Sequence, residues 1–476
     1  MLRLLMPANA RYERFYIAEV LLHEFLGLQI EICTHSASEV LVTEGREKRL
    51  ILDDSFFHDL DEPLVRPDKV PALPLARWAV EQSGLDATLV GSDLPVLFGK
   101  PLSNGTYFES NSKQISFGID VLGSAFFMLT RYEEIVSPER DEFDRFPAKA
   151  SIAYKSGFLD RPIVNEYVEV LWQCLKSLWS GLKRRERSFR VFLSHDVDQP
   201  FLLRNSPLSQ ALRTVAGDAL KRKRPDRALK FPMQLVSSHL FGPTYDPAYT
   251  FNYIMDVAEK HNLRSAFYFI PSFSAGPPDY RYGILDRDIQ KLLADIDRRG
   301  HEIGYHASLE TYKDRELIQE EVALLRKACR QAGSRQTICG NRQHYLRINV
   351  SSTLKYLAEA GLTYDTTLSY ADQAGFRSGV CWEYEFYDLE ARKRIAIVER
   401  PLVVMECSVT DDQYMGLGLG PAAKAAMLKL AGLCRKFSGD FTLLWHNTRL
   451  VSSEERSFFE SLLAEICPRD HHRAGV

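Results

Sequence analysis

The sequence predicts an α/β protein in which a (β/α) barrel of about seven strands follows a smaller mixed α/β domain. The chain has 476 residues, more than the usual length of one domain, about 100–200 residues. Its composition changes at the basic stretch 183–190, and beyond that point strand-like and helix-like segments alternate. Such alternation indicates a parallel sheet with crossover helices. We therefore expect an N-terminal mixed α/β domain over residues 1–185 and the barrel over residues 188–470.

The N-terminal region combines helix and strand patterns. Its predicted elements are helix 12–28, strand 30–34, helices 120–132 and 162–182, and a polar loop, 141–147, between the last two helices. The region contains no defensible catalytic motif. The charged residues Arg131, Glu133 and Glu134 are interpreted as an ion-paired helix end rather than as a ligand site.

The C-terminal region repeats a strand and a helix. The predicted strands are 191–194, 265–270, 302–305, 337–339, 364–368, 402–407 and 441–445. The predicted helices are 249–261, 288–299, 314–332, 352–360, 421–437 and 453–467. Asp314 is expected to cap its helix, and Gly300, Gly333 and Gly361 are expected to end theirs. Because the reactive groups of such barrels lie at the carboxyl ends of the strands, functional residues are expected there.

Charge and composition argue against several classes of protein. With 60 basic and 63 acidic residues the net charge is −3, which does not favour general nucleic-acid binding. The basic runs 183–185 and 221–224 are interpreted as solvated linkers or helix ends. No secretory signal is recognised at residues 1–7, and no apolar run approaches the roughly 20 residues of a membrane span. Eight scattered cysteines are best explained as reduced thiols, so we expect a cytoplasmic protein without stable membrane insertion.

The first barrel strand ends in two aspartates. Asp196 and Asp198 are separated by one residue, so in an extended chain they point to the same side. Crowded carboxylates repel each other unless a cation binds between them. By itself this motif is weak, because aspartates also cap ordinary turns.

A histidine and a glutamate follow the third strand. His306 lies where a barrel places ligands, and imidazole with carboxylate suits a divalent metal such as zinc. Glu310, four residues later, lies on the same side if the segment turns helically. The alternative is that His306 is a hydrogen-bonded core histidine.

Two further strand ends carry basic residues. Arg342, His344 and Arg347 follow the fourth predicted strand and could hold a carboxylate or orient an acid, although surface ion pairing explains Arg347 equally well. His446 follows the last strand, where it is placed to act as a general acid. Four such signals at strand ends together indicate one site.

These residues resemble the motif series of the polysaccharide deacetylase (NodB-homology) family, the family-4 carbohydrate esterases. The matching segments are 194–198, 300–306, 342–345 and 444–446. The resemblance covers about residues 188–470 and implies a distorted (β/α) barrel that removes acetyl groups from sugars with a bound divalent metal. The N-terminal region resembles, through residues 126–134, a poorly characterised domain that precedes such barrels in bacterial proteins.

The resemblance implies a metal site in which zinc is the favoured ion. Asp198 and His306 match the family's ligands, and the family's adjacent Asp-Asp is Asp-Val-Asp in this sequence. Glu310 stands where the family has a second histidine. Since glutamate also binds zinc, Glu310 is the expected third ligand.

The resemblance also implies catalytic roles. Asp196 would be the general base that deprotonates water, His446 would protonate the leaving amine, and Arg342 would hold Asp196 in place. Tyr345 or a backbone N–H would help to stabilise the oxyanion. The expected substrate-binding residues are His344, Tyr345 and Arg347.

The sequence thus predicts a metal-dependent hydrolase that removes an acetyl group from an acetylated sugar or glycan precursor. The expected partner is an acetylated carbohydrate, with no nucleic acid. One alternative is a metal-free barrel that serves as a glycan-binding or scaffold subunit, motivated by the Glu310 substitution. Another is hydrolysis of a different C–N bond, since a fold does not select its substrate.

Overall fold

The computed structural model describes residues 2–45, 47–60, 62–203, 235–272 and 282–468. The basic run 221–224 and the last two residues of the predicted barrel, 469–470, lie outside these ranges. Within them, no helix combines the length and the apolar character that crossing a membrane requires.

The first sheet is built from the N-terminal region alone. Its six strands lie in the order β2-β1-β3-β4-β8-β7, and a separate pair joins β5 to β6. The strands are β1 (Arg3–Pro7), β2 (Glu31–His35), β3 (Val40–Glu44), β4 (Lys48–Leu52), β5 (Ala76–Ala79), β6 (Asp93–Val96), β7 (Phe108–Ser110) and β8 (Gln114–Phe117). The predicted strand 30–34 corresponds to β2.

Helices pack against this sheet. They are α1 (Arg11–Ala18), which continues as a π-helix over Glu19–Phe25, α2 (Val121–Leu129), α3 (Tyr132–Val136), α4 (Ile152–Lys155) and α5 (Ile163–Leu178). Every residue of α2 is buried, and the side chain of Asp120 caps it by accepting a hydrogen bond from the Gly123 N–H. The predicted helix 120–132 is divided at Arg131, whose φ of 53° is left-handed.

The second sheet lies entirely in the C-terminal region. Its nine strands have the order β14-β15-β13-β12-β11-β10-β9-β17-β16, and β14 is antiparallel to β15 whereas every other neighbouring pair is parallel. The strands are β9 (Arg190–Val197), β10 (Ser265–Phe269), β11 (Glu302–Ala307), β12 (Gly340–Gln343), β13 (Tyr364–Asp365), β14 (Tyr384–Asp388), β15 (Lys393–Glu399), β16 (Val404–Met405) and β17 (Asp440–Leu444). Among the described residues β14 and β16 do not pair, so the sheet is open.

The predicted strands are present, but several bounds differ. The strand expected at 364–368 ends at residue 365, and the strand expected at 402–407 is limited to residues 404–405 because a helix begins at residue 406. The strand expected at 337–339 lies at residues 340–343 instead. The prediction missed it because Asn341, Arg342 and Gln343 are polar and do not show a strand pattern. The hairpin of β14 and β15 raises the strand number from about seven to nine. The ring of Tyr268 lies against Gly304 in β11 and the ring of Tyr364 lies against Gly340 in β12, so closely that a Cβ on either glycine would overlap the ring.

Six of the seven α-helices described in the C-terminal region correspond to predicted helices, whereas the helix at residues 406–410 begins inside the predicted strand 402–407. The described helices are α6 (Phe251–Lys260), α7 (Arg287–Arg298), α8 (Arg315–Gln331), α9 (Thr353–Glu359), α10 (Glu406–Thr410), α11 (Pro421–Lys436) and α12 (Ser453–Ile466). Asp314 caps α8 by accepting from the Leu317 N–H, as predicted. The predicted helix-ending glycines, Gly300, Gly333 and Gly361, all have positive φ.

The two regions share one buried interior. A single apolar cluster runs through both sheets, and a buried charged group joins them. Arg131 donates to Glu134 (2.8 Å) and to the Tyr370 hydroxyl (3.1 Å). Arg377 donates to both Glu134 oxygens, at 2.9 and 2.6 Å. The interpretation of Arg131 and Glu134 as ion-paired residues is confirmed. Although burial acts to raise the pKa of Glu134, these two guanidinium groups lower it to about 2.

Removing the Glu134 carboxylate is expected to destabilise the whole chain. Glu134→Ala leaves two buried guanidinium groups without their shared partner, which typically costs about 3–5 kcal/mol. Chemical denaturation measures the change, and Glu139→Ala, at an exposed position of the same region, is the control, expected to stay within about 0.5 kcal/mol. Equal stability of the two variants would contradict a stabilising role for this group.

Candidate active site

The polar residues at the strand ends meet at one edge of the second sheet. Strands β12, β11, β10, β9 and β17 are neighbours, and their parallel direction brings their carboxyl ends together. The residues at this edge are Asp196 in β9, Asp198 after it, His306 in β11, Arg342 in β12, His344 after it, and His446 after β17. Residues from four separate parts of the chain therefore face a common space.

Successive side chains of β9 point to opposite faces of the sheet, so its aspartates and its histidine lie in different surroundings. Asp196 and Asp198 both face His306, with oxygens 3.8 and 3.1 Å from its Nε2 atom. His195 points the other way, where its Nδ1 atom lies 2.7 Å from the Trp445 carbonyl and its ring stacks on Phe267. Burial lowers the pKa of His195 to about 3. His195 is thus a neutral core residue, and the two aspartates share a side as predicted.

Asp198, His306 and His344 form a compact set of possible metal ligands. One atom from each lies within 4.8 Å of the others, and Asp198 Oδ1 is 3.7 Å from His344 Nε2. His306 Nδ1 lies 2.7 Å from the Arg342 carbonyl oxygen. Because that oxygen can only accept, Nδ1 carries the proton and Nε2 is the atom that faces Asp198. A ligating histidine is typically oriented in this way.

The charges in this set suit a cation. Burial alone would raise the pKa of Asp198, but the charge of His344, the hydrogen bond from His306 and the charge of His446 hold it well below its usual range. Although burial lowers the pKa of His306, the carboxylates of Asp196 and Asp198 raise it overall. Without a metal, protons on the imidazoles supply the positive charge that balances the carboxylates, and a divalent cation would supply it instead. One carboxylate with two imidazoles is a donor set that binds zinc.

Asp196 lies beside this set with part of its carboxylate unused. Its Oδ1 atom is buried without a hydrogen-bond partner among the described residues, 3.8 Å from Arg342 Nη1. Arg342 is itself fully buried, donates to the hydroxyls of Ser194 (3.1 Å) and Thr366 (3.3 Å), and lies over the Tyr268 ring. Asp196 therefore keeps a free acceptor atom next to a fixed positive charge.

His446 is paired with a glutamate that sequence reasoning missed. Glu406 Oε1 accepts from His446 Nδ1 (2.6 Å) and from its backbone N–H (3.0 Å). Burial lowers the pKa of His446, but Glu406 outweighs it, with Asp198 and Asp196 contributing, so the pKa rises to about 10. His446 Nε2 is 3.8 Å from Asp198 Oδ2. A signal for Glu406 existed, since it is an acidic residue inside the apolar predicted strand 402–407.

Glu310, the predicted third ligand, does not lie with Asp198 and His306 in the cluster of possible ligand atoms. Its side chain is 59% exposed and pairs with Arg347 at 3.1 Å, just before residues 311–313 turn as a 3-10 helix. His344, predicted as a substrate-binding residue, occupies the position beside Asp198 and His306 instead.

Two other predicted substrate-binding residues have structural contacts. Arg347 donates to the Leu309 carbonyl (2.9 Å) and the Tyr312 hydroxyl (2.9 Å) and lies over the Tyr312 ring, so it holds the loop after β11. Tyr345 is partly exposed, its ring 4.7 Å from that of His344. It stays a candidate for substrate contact.

Comparisons with known proteins found one family model and several similar solved structures. Residues 3–180 match the Family of unknown function (DUF7033). No curated protein matches the chain. Among solved structures, a putative polysaccharide deacetylase from Mycobacterium smegmatis is 19% identical with a TM-score of 0.39, covering 60% of this chain and 86% of that one.

Two further solved structures are similar over the same share of the chain. The catalytic domain of a peptidoglycan N-acetylglucosamine deacetylase from Eubacterium rectale is 10% identical with a TM-score of 0.27, covering 59% of this chain and 84% of that one. A putative glycoside hydrolase/deacetylase from Parabacteroides distasonis is 10% identical with a TM-score of 0.33, covering 59% and 66%. At these identities and TM-scores the likenesses do not assign an activity to this chain.

Proposed function

We propose that the protein is a metal-dependent hydrolase that removes an acetyl group from an acetylated sugar or glycan precursor. The observation that carries the proposal is the convergence of Asp198, His306 and His344, with ligand atoms within 4.8 Å of one another, beside Asp196 and His446. This set combines metal donors with a base and an acid. The acetylated sugar is inferred from the resemblance of the sequence motifs, since a site of this kind does not select its substrate by itself.

Asp198, His306 and His344 would hold a divalent cation, for which zinc suits the mixed oxygen and nitrogen donors. When bound, the cation supplies polarisation of the acetyl carbonyl and stabilisation of the negative charge that develops on its oxygen. His306 is oriented for this by the Arg342 carbonyl oxygen, 2.7 Å from its Nδ1 atom.

Asp196 and His446 would move the protons. Asp196 accepts a proton from water as the water oxygen bonds to the acetyl carbon, and Arg342, with Nη1 3.8 Å from Asp196 Oδ1, holds that carboxylate in place. His446 gives a proton from Nε2 to the leaving nitrogen as the C–N bond breaks, so that acetate and an amine form. Glu406 fixes the His446 tautomer, because its carboxylate accepts from Nδ1.

The metal-free alternative was based on Glu310 in place of a histidine. The position of His344 beside Asp198 and His306 supports the metal-dependent proposal instead. Hydrolysis of a different C–N bond would use the same proton transfers and would differ from the proposed reaction only in its substrate.

The cytoplasmic location and the absence of a nucleic-acid partner stay predictions.

Zinc binding tests the proposed ligand set. His344→Ala is expected to weaken zinc binding by more than about 100-fold, the upper range for loss of a supporting residue, whereas Glu310→Ala, four residues after His306 but directed away, should bind zinc as the unchanged protein does. Zinc content after dialysis and competition with a chromogenic chelator measure this. Loss of zinc in Glu310→Ala but not in His344→Ala would overturn the assignment.

Acetate release tests the proposed reaction. The zinc-loaded protein is expected to release acetate from N-acetylglucosamine oligosaccharides or from other N-acetylated sugars in a panel, and the His344→Ala protein is expected to release none. Stoichiometric zinc without acetate release from any acetylated carbohydrate would contradict the proposed substrate class and favour hydrolysis of another C–N bond.

A further inference from the structure

A loop of the N-terminal region, residues 141–147, lies next to the candidate active site and is called here the buttress loop. The Asp141 carboxylate holds the loop together by accepting from the backbone N–H groups of Phe143 (2.9 Å) and Arg145 (2.9 Å) and from Arg145 Nε (2.7 Å). Asp144 has a left-handed backbone, with φ of 60°. Because these bonds lie within the loop, it can present fixed groups to the other region.

The buttress loop contacts the segments that follow β11 and β12. Arg145 Nη1 donates to the Tyr345 carbonyl (3.0 Å), and the Phe143 ring lies 4.7 Å from the Tyr345 ring. Asp144 accepts from the Tyr312 hydroxyl (2.7 Å) and from Lys313 Nζ (2.6 Å). These contacts join residues that are about 170–200 positions apart in the chain.

The segment held by Arg145 has an unusual backbone. Tyr345 and Leu346 have φ values of 60° and 55°, in the left-handed region that residues other than glycine adopt only when their surroundings hold them there. The Leu346 side chain is buried in a small apolar cluster with Leu402, Met405 and Leu444. Tyr345 and Leu346 are thus held by two contacts: the Leu346 side chain is buried in the apolar cluster, and the Tyr345 carbonyl accepts a hydrogen bond from Arg145.

His344 directly precedes this pair. Its ring is 4.7 Å from the Tyr345 ring, and its Nε2 atom is 3.7 Å from Asp198 Oδ1. A rotation of the backbone at residue 345 would move the His344 imidazole away from Asp198 and His306. The orientation of a ligand depends on the groups that fix its backbone as well as on its own hydrogen bonds.

We propose that Arg145 is a positioning residue for the metal site, because it fixes the left-handed Tyr345–Leu346 backbone and so keeps His344 next to Asp198 and His306. The inference rests on the proposed function. It gives the N-terminal region a role in the chemistry: the site is complete only when the buttress loop contacts the segments after β11 and β12.

Cobalt(II) titration tests this proposal without a substrate. Arg145→Ala is expected to weaken cobalt binding by about 10–100-fold, the usual effect of removing a group that orients a ligand, and to change the visible absorption bands, which report ligand geometry. Arg145→Lys keeps one donor for the Tyr345 carbonyl and is expected to restore part of the affinity. Lys149→Ala, which removes a positive charge at an exposed position near the loop, should bind cobalt unchanged.

The outcomes separate the two proposals. An unchanged affinity and spectrum in folded Arg145→Ala would overturn the positioning role alone, whereas failure of the unaltered protein to bind cobalt or zinc would overturn the proposed function and this inference with it. If Arg145→Ala does not fold, Arg145→Met carries the same test, because methionine keeps the apolar stem of the side chain and cannot donate to the Tyr345 carbonyl. A cobalt affinity and spectrum identical to those of the unaltered protein would overturn the proposal.

Discussion

Asp196→Asn is expected to lower turnover by about 10²–10⁴-fold, the usual contribution of a positioned general base, while zinc binding persists. Asparagine matches the shape of aspartate but cannot accept a proton from water. The ligand atoms of Asp198, His306 and His344 remain, so the metal should stay bound. The variant therefore separates base catalysis from metal binding.

Initial rates of acetate release, together with zinc content, measure the Asp196→Asn effect. The matched control is Asp256→Asn in α6. It removes an exposed carboxylate that pairs with Arg299 and should leave turnover unchanged. Since Asp196→Asn also leaves the buried Arg342 without its nearest carboxylate, thermal unfolding must show that the variant is folded. Full zinc with turnover within a few-fold of the unaltered protein would refute the assignment of Asp196 as the base.

His446→Ala is expected to have an effect of similar size, about 10²–10⁴-fold on turnover of an acetylated amine. The reason is that an amine leaves poorly unless its nitrogen gains a proton. A 4-nitrophenyl ester has a leaving group that needs little protonation, so hydrolysis of 4-nitrophenyl acetate should fall much less. An equal loss on the amide and on the ester would contradict the role of His446 as the acid.

The pH dependence distinguishes Glu406 from a merely structural neighbour of His446. The pKa of His446 is raised to about 10 despite burial, chiefly by Glu406. The protonated, donating form therefore persists from acid pH up to the raised pKa, and activity that needs it is lost as the pH rises through that value. Glu406→Gln removes the carboxylate and should move this alkaline limb of the kcat profile to lower pH. An alkaline limb at the same pH in both proteins would show that another group controls it.

Local patterns were sufficient for much of the fold. Strands with apolar or alternating side chains and helices with clear end signals, such as Asp314 before α8, were placed within a few residues, because both signals depend only on neighbours in sequence. Strands with polar sequences were not predicted at their observed positions. Strand β12 carries Asn341, Arg342 and Gln343, and its functional side chains conceal the strand pattern.

The sequence by itself determined the candidate site residues: Asp196, Asp198, His306, Arg342 and His446 could be named because each follows a strand-like run and parallel strands end at one edge. Only the tertiary structure decided which residues share a centre. His344, and not Glu310, lies beside Asp198 and His306, and the pairing of Glu406 with His446 depends on β16 lying next to β17. The physical reason is that side-chain periodicity is a local property, whereas ligand distances are set by strand order, by loop conformation and, through Arg145, by a separate part of the chain.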